Sequence, residues 1–183
     1  MLYEFDGKSP VIGTGTYVSE TATVIGDVRI GNDCYIGHGA ILRGDYGTIE
    51  IGDGTAVEEG VIVHAPPKES CVIGRRVTIG HGAIIHASRI GDSVTIGMGA
   101  VLSIRSEVGS GSIVAEGAIV KRGQTVPGSV VAAGNPARKV REVSREEEEY
   151  GDRVTGIYVD LAHKYLRQGM KTIGTPGRAP KSA

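Results

Sequence analysis

An aliphatic residue recurs every six positions along this chain: Ile12, Val18, Val24, Ile30, Ile36 and Leu42, then Ile51, Val57 and Val63. After an insertion the series resumes at Ile73, Ile79 and Ile85, takes one step of five, and runs from Ile90 through Ile96, Leu102, Val108, Val114 and Val120 to Val126. Glycine follows many of these positions, as at Gly13, Gly31, Gly52, Gly74 and Gly91. Neither the 3.6-residue period of a helix nor the two-residue period of a simple strand gives such spacing. A short strand with one inward aliphatic, followed by a glycine-rich bend, accounts for each unit, and three units close a triangular coil. Coils stacked about 4.8 Å apart pair strand on strand and bury an aliphatic ladder. With Ala132 as the last position, nineteen of twenty register positions are Ile, Val or Leu, which composition alone would not produce.

Two breaks interrupt the register, three extra residues in RGDYGTIE between Leu42 and Ile51 and four in HAPPKESCV between Val63 and Ile73. Both are expected as loops extruded from the coil, where solenoids place function. After GNPARKVREV the pattern changes to a helix over about Arg145–Gln168, opened by a Ser144/Glu147 capping box. Its apolar face is expected to comprise Val154, Ile157, Tyr158, Leu161 and Tyr165, and because Gly151 and Gly156 weaken it alone, it must lie on the coil. The organisation expected is thus a coil over residues 1–140, a packed helix over 141–170, and a flexible tail over 171–183 rich in Gly, Pro, Lys and Arg.

Composition narrows the partners. Twenty basic against twenty-one acidic side chains give no general attraction to nucleic acid or anionic lipid. The opening MLYEFDGKSP lacks a basic start followed by an apolar run, and no stretch matches the roughly 18 apolar residues of a membrane span. A cytoplasmic protein is expected, with no nucleic-acid or membrane partner. Cys34 and Cys71 stand apart with no metal-ligand spacing and are read as reduced packing residues.

The register also sorts the histidines. With Ile51, Val57 and Val63 beginning the first, second and third sides of a coil, and Ile73, Ile79 and Ile85 repeating them one coil up, His64 and His86 each follow a third-side aliphatic and stack at one corner, where two imidazoles can grip one ion. His81 lies two positions after Ile79, at the next corner, and cannot reach that ion within one chain. A threefold axis would bring the second corner of a neighbour against the third, which makes a homotrimer with three shared sites the expectation. Three neutral imidazoles leave positions for water and suit a catalytic rather than a structural metal. Arg43 lies in the column of His64 and His86, while Glu58 and Glu59 lie beside His81, so Arg43 should face a neighbour's Glu58 or Glu59 across that seam. His38, two coils below His81, is expected to serve a turn or an interface rather than the metal.

RGDYG, then VEEGVIVH, then IGHGAIIH with its HxxxxH spacing resemble the γ-class carbonic anhydrases over about residues 10–140, and GIYVDLAHKY resembles their C-terminal helix. The resemblance implies a left-handed parallel β-helix of hexapeptide repeats with a C-terminal α-helix. It implies Zn2+ (Fe2+ or Co2+ in some members) on His64, His81 and His86, and reversible hydration of CO2 to bicarbonate. It also places Arg43 and Asp45 near the subunit interface and Tyr158 in reach of the site; for this chain's own Glu58 and Glu59 the expectation is that Glu58 orients or deprotonates the reacting water and Glu59 partners Arg43. The chain departs from the family's pattern where Ala56 replaces an Asn and Glu58-Glu59 replace Gln-Asp. Relatives associated with carnitine and phenylacetate metabolism, and the acyltransferase-like GNPAR at 134–138, leave a CoA-thioester enzyme as an alternative, with Arg75, Arg76, Arg138 and Lys139 as phosphate-binding candidates. A catalytically silent metal-binding assembly protein is the remaining alternative.

Overall fold

The six-residue units become short strands such as Tyr17–Val18, Tyr35–Ile36, Ala56–Val57 and Thr78–Ile79, each paired in parallel with its equivalent one coil away. In the computed structural model, which describes residues 1–174, these strands line the sides of a parallel β-solenoid with one helix laid along it. The inward series forms the core: every register position from Val24 to Ala132 is buried, and only Ile12 and Val18, at the open lower end, are partly so. A second buried column, two residues before each ladder position, mixes small side chains such as Ala22, Cys34, Ala40 and Cys71 with aliphatic ones such as Val28, Ile49, Val61 and Val77. Strand alternation points both residues inward, so the second column closes the core beside the ladder. Cys34 and Cys71 therefore pack as free thiols, with burial pushing their pKa up to about 11 and about 12. Glycine at the bends has a packing cause as well, since a Cβ on Gly52 would stand 2.7 Å from the carbonyl carbon of Gly74 in the coil above.

Three expectations are corrected. RGDYGTIE is not an extruded loop: Ile41–Ile51 is one continuous strand that rounds the corner, its second half paired with Ser70–Ile73. The solenoid ends in Arg138–Glu142, a strand antiparallel to Val130–Ala133 that charged residues conceal from any hydrophobic pattern. The helix Arg145–Gln168 carries its capping box, with the Ser144 side chain accepting from the Glu147 amide, yet Ile157 is 62% exposed and Thr155 and Ala162 are the residues that bury. At 100° per residue Ile157 lies beyond the edge of the stripe set by Tyr158, Ala162 and Tyr165. Those tyrosines close on Tyr17, Tyr35 and Ala56 of the second side, with Tyr17 and Tyr165 stacked at 4.5 Å and Tyr35 and Tyr158 at 5.2 Å between ring centroids. No helix among the described residues is long and apolar enough to cross a membrane. The tail expected over 171–183 lies, from residue 175 on, outside the described residues.

Candidate metal centre

The strands Ile62–His64 and Ile84–His86 pair residue for residue, which sets His86 directly on His64, and Arg43 pairs with His64 one coil below. Because the step after Ile85 is short, Ala87 turns with φ +47° and its amide donates to the His64 carbonyl at 2.8 Å. That corner holds the two imidazoles parallel, 5.2 Å apart between centroids and 12° between planes. Nε2 of His64 is buried with no hydrogen-bond partner among the described residues; Asp45 Oδ1, at 3.7 Å, is too far to accept from it. Burial first, then the charges of Arg43 and His86, lower the pKa of His64, so the imidazole stays neutral and its nitrogen is free to ligate. An orphaned ring nitrogen beside a parallel imidazole fits a borderline-soft divalent ion.

Arg43 donates to Asp45 Oδ2 at 2.7 Å within the chain. Burial opposes ionisation of Asp45, but the hydrogen bond and charge of Arg43 outweigh it and hold the carboxyl below its ordinary value. On the same outer face, Ile41, Ile62 and Ile84 stack in register, each about 40% exposed, as an apolar ladder beside the histidine column. Side-chain exposure there costs free energy unless something covers it.

The second corner is different. His81 Nδ1 lies 2.8 Å from Glu59 Oε2, and its Nε2 lies 3.0 Å from Glu58 Oε2, which also accepts from the His81 amide at 3.1 Å. Glu58 is nearly buried at 5% exposure. Glu59 also accepts from the Tyr35 hydroxyl at 2.7 Å. For Glu59, burial opposes ionisation, and the Tyr35 hydrogen bond with the nearby His81 overcomes it, lowering its pKa. Burial, then the neighbouring Glu58 carboxylate, push the Tyr158 phenol upward, so it remains a donor. Tyr35 is the residue that sequence reasoning missed. The signal was present, because Tyr17 and Tyr35 stand three units apart on the second side and Tyr158 and Tyr165 a two-turn interval apart on the helix.

The structure thus brings together Arg43, Asp45, His64 and His86 at one corner and Glu58, Glu59, His81 and Tyr158 at the other. Among the described residues of one chain, no group of three His, Cys, Asp or Glu is placed to hold a metal ion. His38 belongs to neither corner: its Nδ1 meets Ser19 Oγ at 2.6 Å and its ring packs edge-on against Tyr165 under the helix.

A model of bacterial transferase hexapeptide repeats matches residues 9–44. Over 181 residues the chain is 35% identical to the carnitine operon protein CaiE of Proteus sp. (strain LE138), covering 99% of this chain and 91% of that protein. It is 38% identical over 159 residues to CaiE of Escherichia coli O157:H7, covering 87% and 81%. A crystal structure of a hexapeptide transferase family protein from Anaplasma phagocytophilum superposes with TM-score 0.87 at 36% identity, covering 91% of this chain and 98% of that one. A Bacillus cereus protein provisionally assigned as an acetyltransferase does so with TM-score 0.89 at 29% identity, covering 91% and 97%.

Proposed function

The chain belongs to the γ-carbonic-anhydrase-like family of hexapeptide-repeat proteins, the left-handed β-helices that include CaiE, and from that premise we propose that it is a trimeric metal enzyme for reversible hydration of CO2 to bicarbonate. The observation that carries the reading is the parallel His64–His86 pair with a buried, partnerless Nε2. The ligand set is His64 and His86 of one subunit with His81 of the next, and the exposed Ile41–Ile62–Ile84 ladder supplies the apolar seam that brings the two corners together. Zinc held by these residues, or iron(II) or cobalt(II), would supply the Lewis acidity that brings the pKa of water to about 7.

The remaining work falls to side chains of this protein. Glu59 lies 2.8 Å from Nδ1 of His81 and accepts from Tyr35, which orients the ring with its Nε2 beside Glu58. Glu58, in contact with that Nε2, is left beside the reacting water as acceptor of its proton. Tyr158, kept protonated, lines the groove that leads to Glu58 and offers a hydroxyl to bicarbonate oxygen. Arg43 and Asp45 hold each other at the seam, where Arg43 is placed to meet a carboxylate of the neighbour.

A second reading, acyl transfer from a CoA thioester, is favoured by the transferase descriptions of the solved relatives. Against it, Arg76 is engaged by Asp152 at 2.8 Å and Lys139 by Glu142, which occupies two of the four expected phosphate-binding cations. The deciding experiment is metal analysis of anaerobically purified protein with a stopped-flow CO2-hydration assay, run beside an acyl-CoA thioesterase and transferase screen. Metal with hydration supports the first reading. Metal-loaded trimer that turns over CoA thioesters but not CO2 replaces it with the second. Metal without either activity leaves an assembly protein.

A further inference from the structure

Between the helix and the second side of the coil runs a groove of about 380 Å³ that ends at His81 and Glu58. Its charged lining is one-sided: Glu58, Glu116 and Glu147 contribute carboxylates, and no Lys or Arg lines it. Glu147 is neutralised by a two-point bond from Arg141 at 2.7 and 2.8 Å, and Glu58 is engaged by His81. Glu116 is exposed and makes no salt bridge among the described residues, so its charge faces the groove uncompensated. Tyr150 and Tyr158 enter from the helix, and Met98 and Val154 add apolar surface. The Arg153 guanidinium lies 5.7 Å from the Tyr150 ring centroid, so a ligand cation uses the other face of that ring. Aromatic faces, a free carboxylate and an apolar floor together are the chemistry that binds an organic cation with methyl groups or methylenes about its charge.

We propose that this groove binds a small organic cation, a quaternary or protonated amine, with its head between Tyr150, Tyr158 and Glu116 and its tail directed to the His81–Glu58 end. The volume is at the small end of ligand pockets, which run to about 1,000 Å³, and so fits a metabolite-sized cation better than a cofactor. A phosphate-bearing ligand such as CoA would meet the uncompensated Glu116 carboxylate, with no Lys or Arg lining the groove to receive it. The inference rests on the metal-site reading only for what lies at the inner end; the cation subsite itself is built without histidine.

The test is calorimetric titration of the full-length protein with choline and with its neutral isostere 3,3-dimethylbutanol at matched ionic strength, with metal content measured on the same samples. Choline binds and the isostere binds at least about tenfold more weakly if the charge is recognised. Glu116→Gln and Tyr150→Ala each weaken choline by about tenfold, while Tyr150→Phe, which keeps the ring face, binds as the unmodified protein does. Tyr150 is an exposed helix position, so these variants fold, as circular dichroism will verify. Retention of choline binding by metal-free His86→Ala supports the groove even if the metal reading fails. Equal binding of choline and the isostere, or choline affinity unchanged in both Glu116→Gln and Tyr150→Ala, overturns the proposal.

Discussion

The corner after the third side and the corner after the second are made by the same six-residue unit, yet they are opposite in charge and in what they leave unsatisfied. At the third, a guanidinium lies below two parallel imidazoles, and a buried ring nitrogen has no partner. At the second, both ring nitrogens of His81 face carboxylates, and one carboxylate is held in turn by Tyr35. One corner lacks an acceptor of its lone pair and the other has negative charge to offer a cation. Two such half-sites on one chain cannot meet; in the trimer proposed above they would complement each other on neighbouring copies, as heterologous contacts around a closed ring require. A repeat therefore supplies more than a core: its register puts unlike chemistry on adjacent edges of one prism.

The sharpest break of this comparison is His86→Ala. Bound metal should fall from about one ion per chain to a trace, because a two-imidazole remnant does not retain zinc. The coil should survive, since the aliphatic ladder and not the metal holds it. His38→Ala is the contrast: it should keep its metal and lose about 1 kcal/mol through the Ser19 bond and helix packing. Native mass spectrometry reads both, and zinc kept by the first variant but lost by the second would show that the corners have been misassigned.

Arg43→Ala addresses the seam. If Arg43 meets a neighbour's carboxylate out of water, its loss should weaken the trimer by about 3 kcal/mol. Arg29→Ala is the solvated control, since that side chain is 61% exposed and 3.7 Å from Glu50, and should cost under about 1 kcal/mol. Trimer dissociation followed by light scattering distinguishes them; equal midpoints would remove Arg43 from the seam.

Tyr35→Phe tests whether the second corner is positioned from behind. The substitution removes the 2.7 Å bond to Glu59 but keeps the ring that packs, tilted by 40°, against Tyr158. Zinc affinity in a chelator competition should fall about tenfold, as for other outer partners of a ligating histidine. An unchanged affinity would make Tyr35 a packing residue only.

The ladder and the stacking of His64 on His86 were legible because both depend on register alone, and a six-residue count carries register through every coil. The second inward column was not, since Ala, Cys, Ser and Thr alternate there with Val and Ile and share no hydropathy. Ile157 was misplaced because a helical stripe was drawn by hydrophobicity, whereas Thr155 and Ala162 fit closer to the coil. The strand Arg138–Glu142 escaped notice because it is held by backbone pairing at an exposed edge, where side chains carry no burial signal. The Tyr35–Glu59–His81 chain depends on side-chain reach between coils, which spacing does not report.

Acidity should separate the corners in solution, with the smallest effect of the four. Burial, then the charges of Arg43 and His86, place the folded pKa of His64 below its ordinary 6.5. Between that lower value and 6.5 the unfolded chain binds a proton that the folded chain refuses, so stability of the metal-free protein declines as pH falls through that window. Glu59 behaves oppositely in origin: burial opposes its charge, Tyr35 and His81 restore it, and its folded pKa lies below the ordinary 4.5. Its contribution is complete above 4.5 and is lost only as pH falls from there towards the folded value. Between 6.5 and the lowered value of His64 the third corner responds, whereas Glu59 responds only below 4.5. Thermal midpoints of the metal-free protein should show two declines, the upper one flattened by His64→Gln and the lower one by Glu59→Gln. If His64→Gln keeps the upper decline, the imidazole is not held neutral by its burial, and the contrast between the corners loses its electrostatic half.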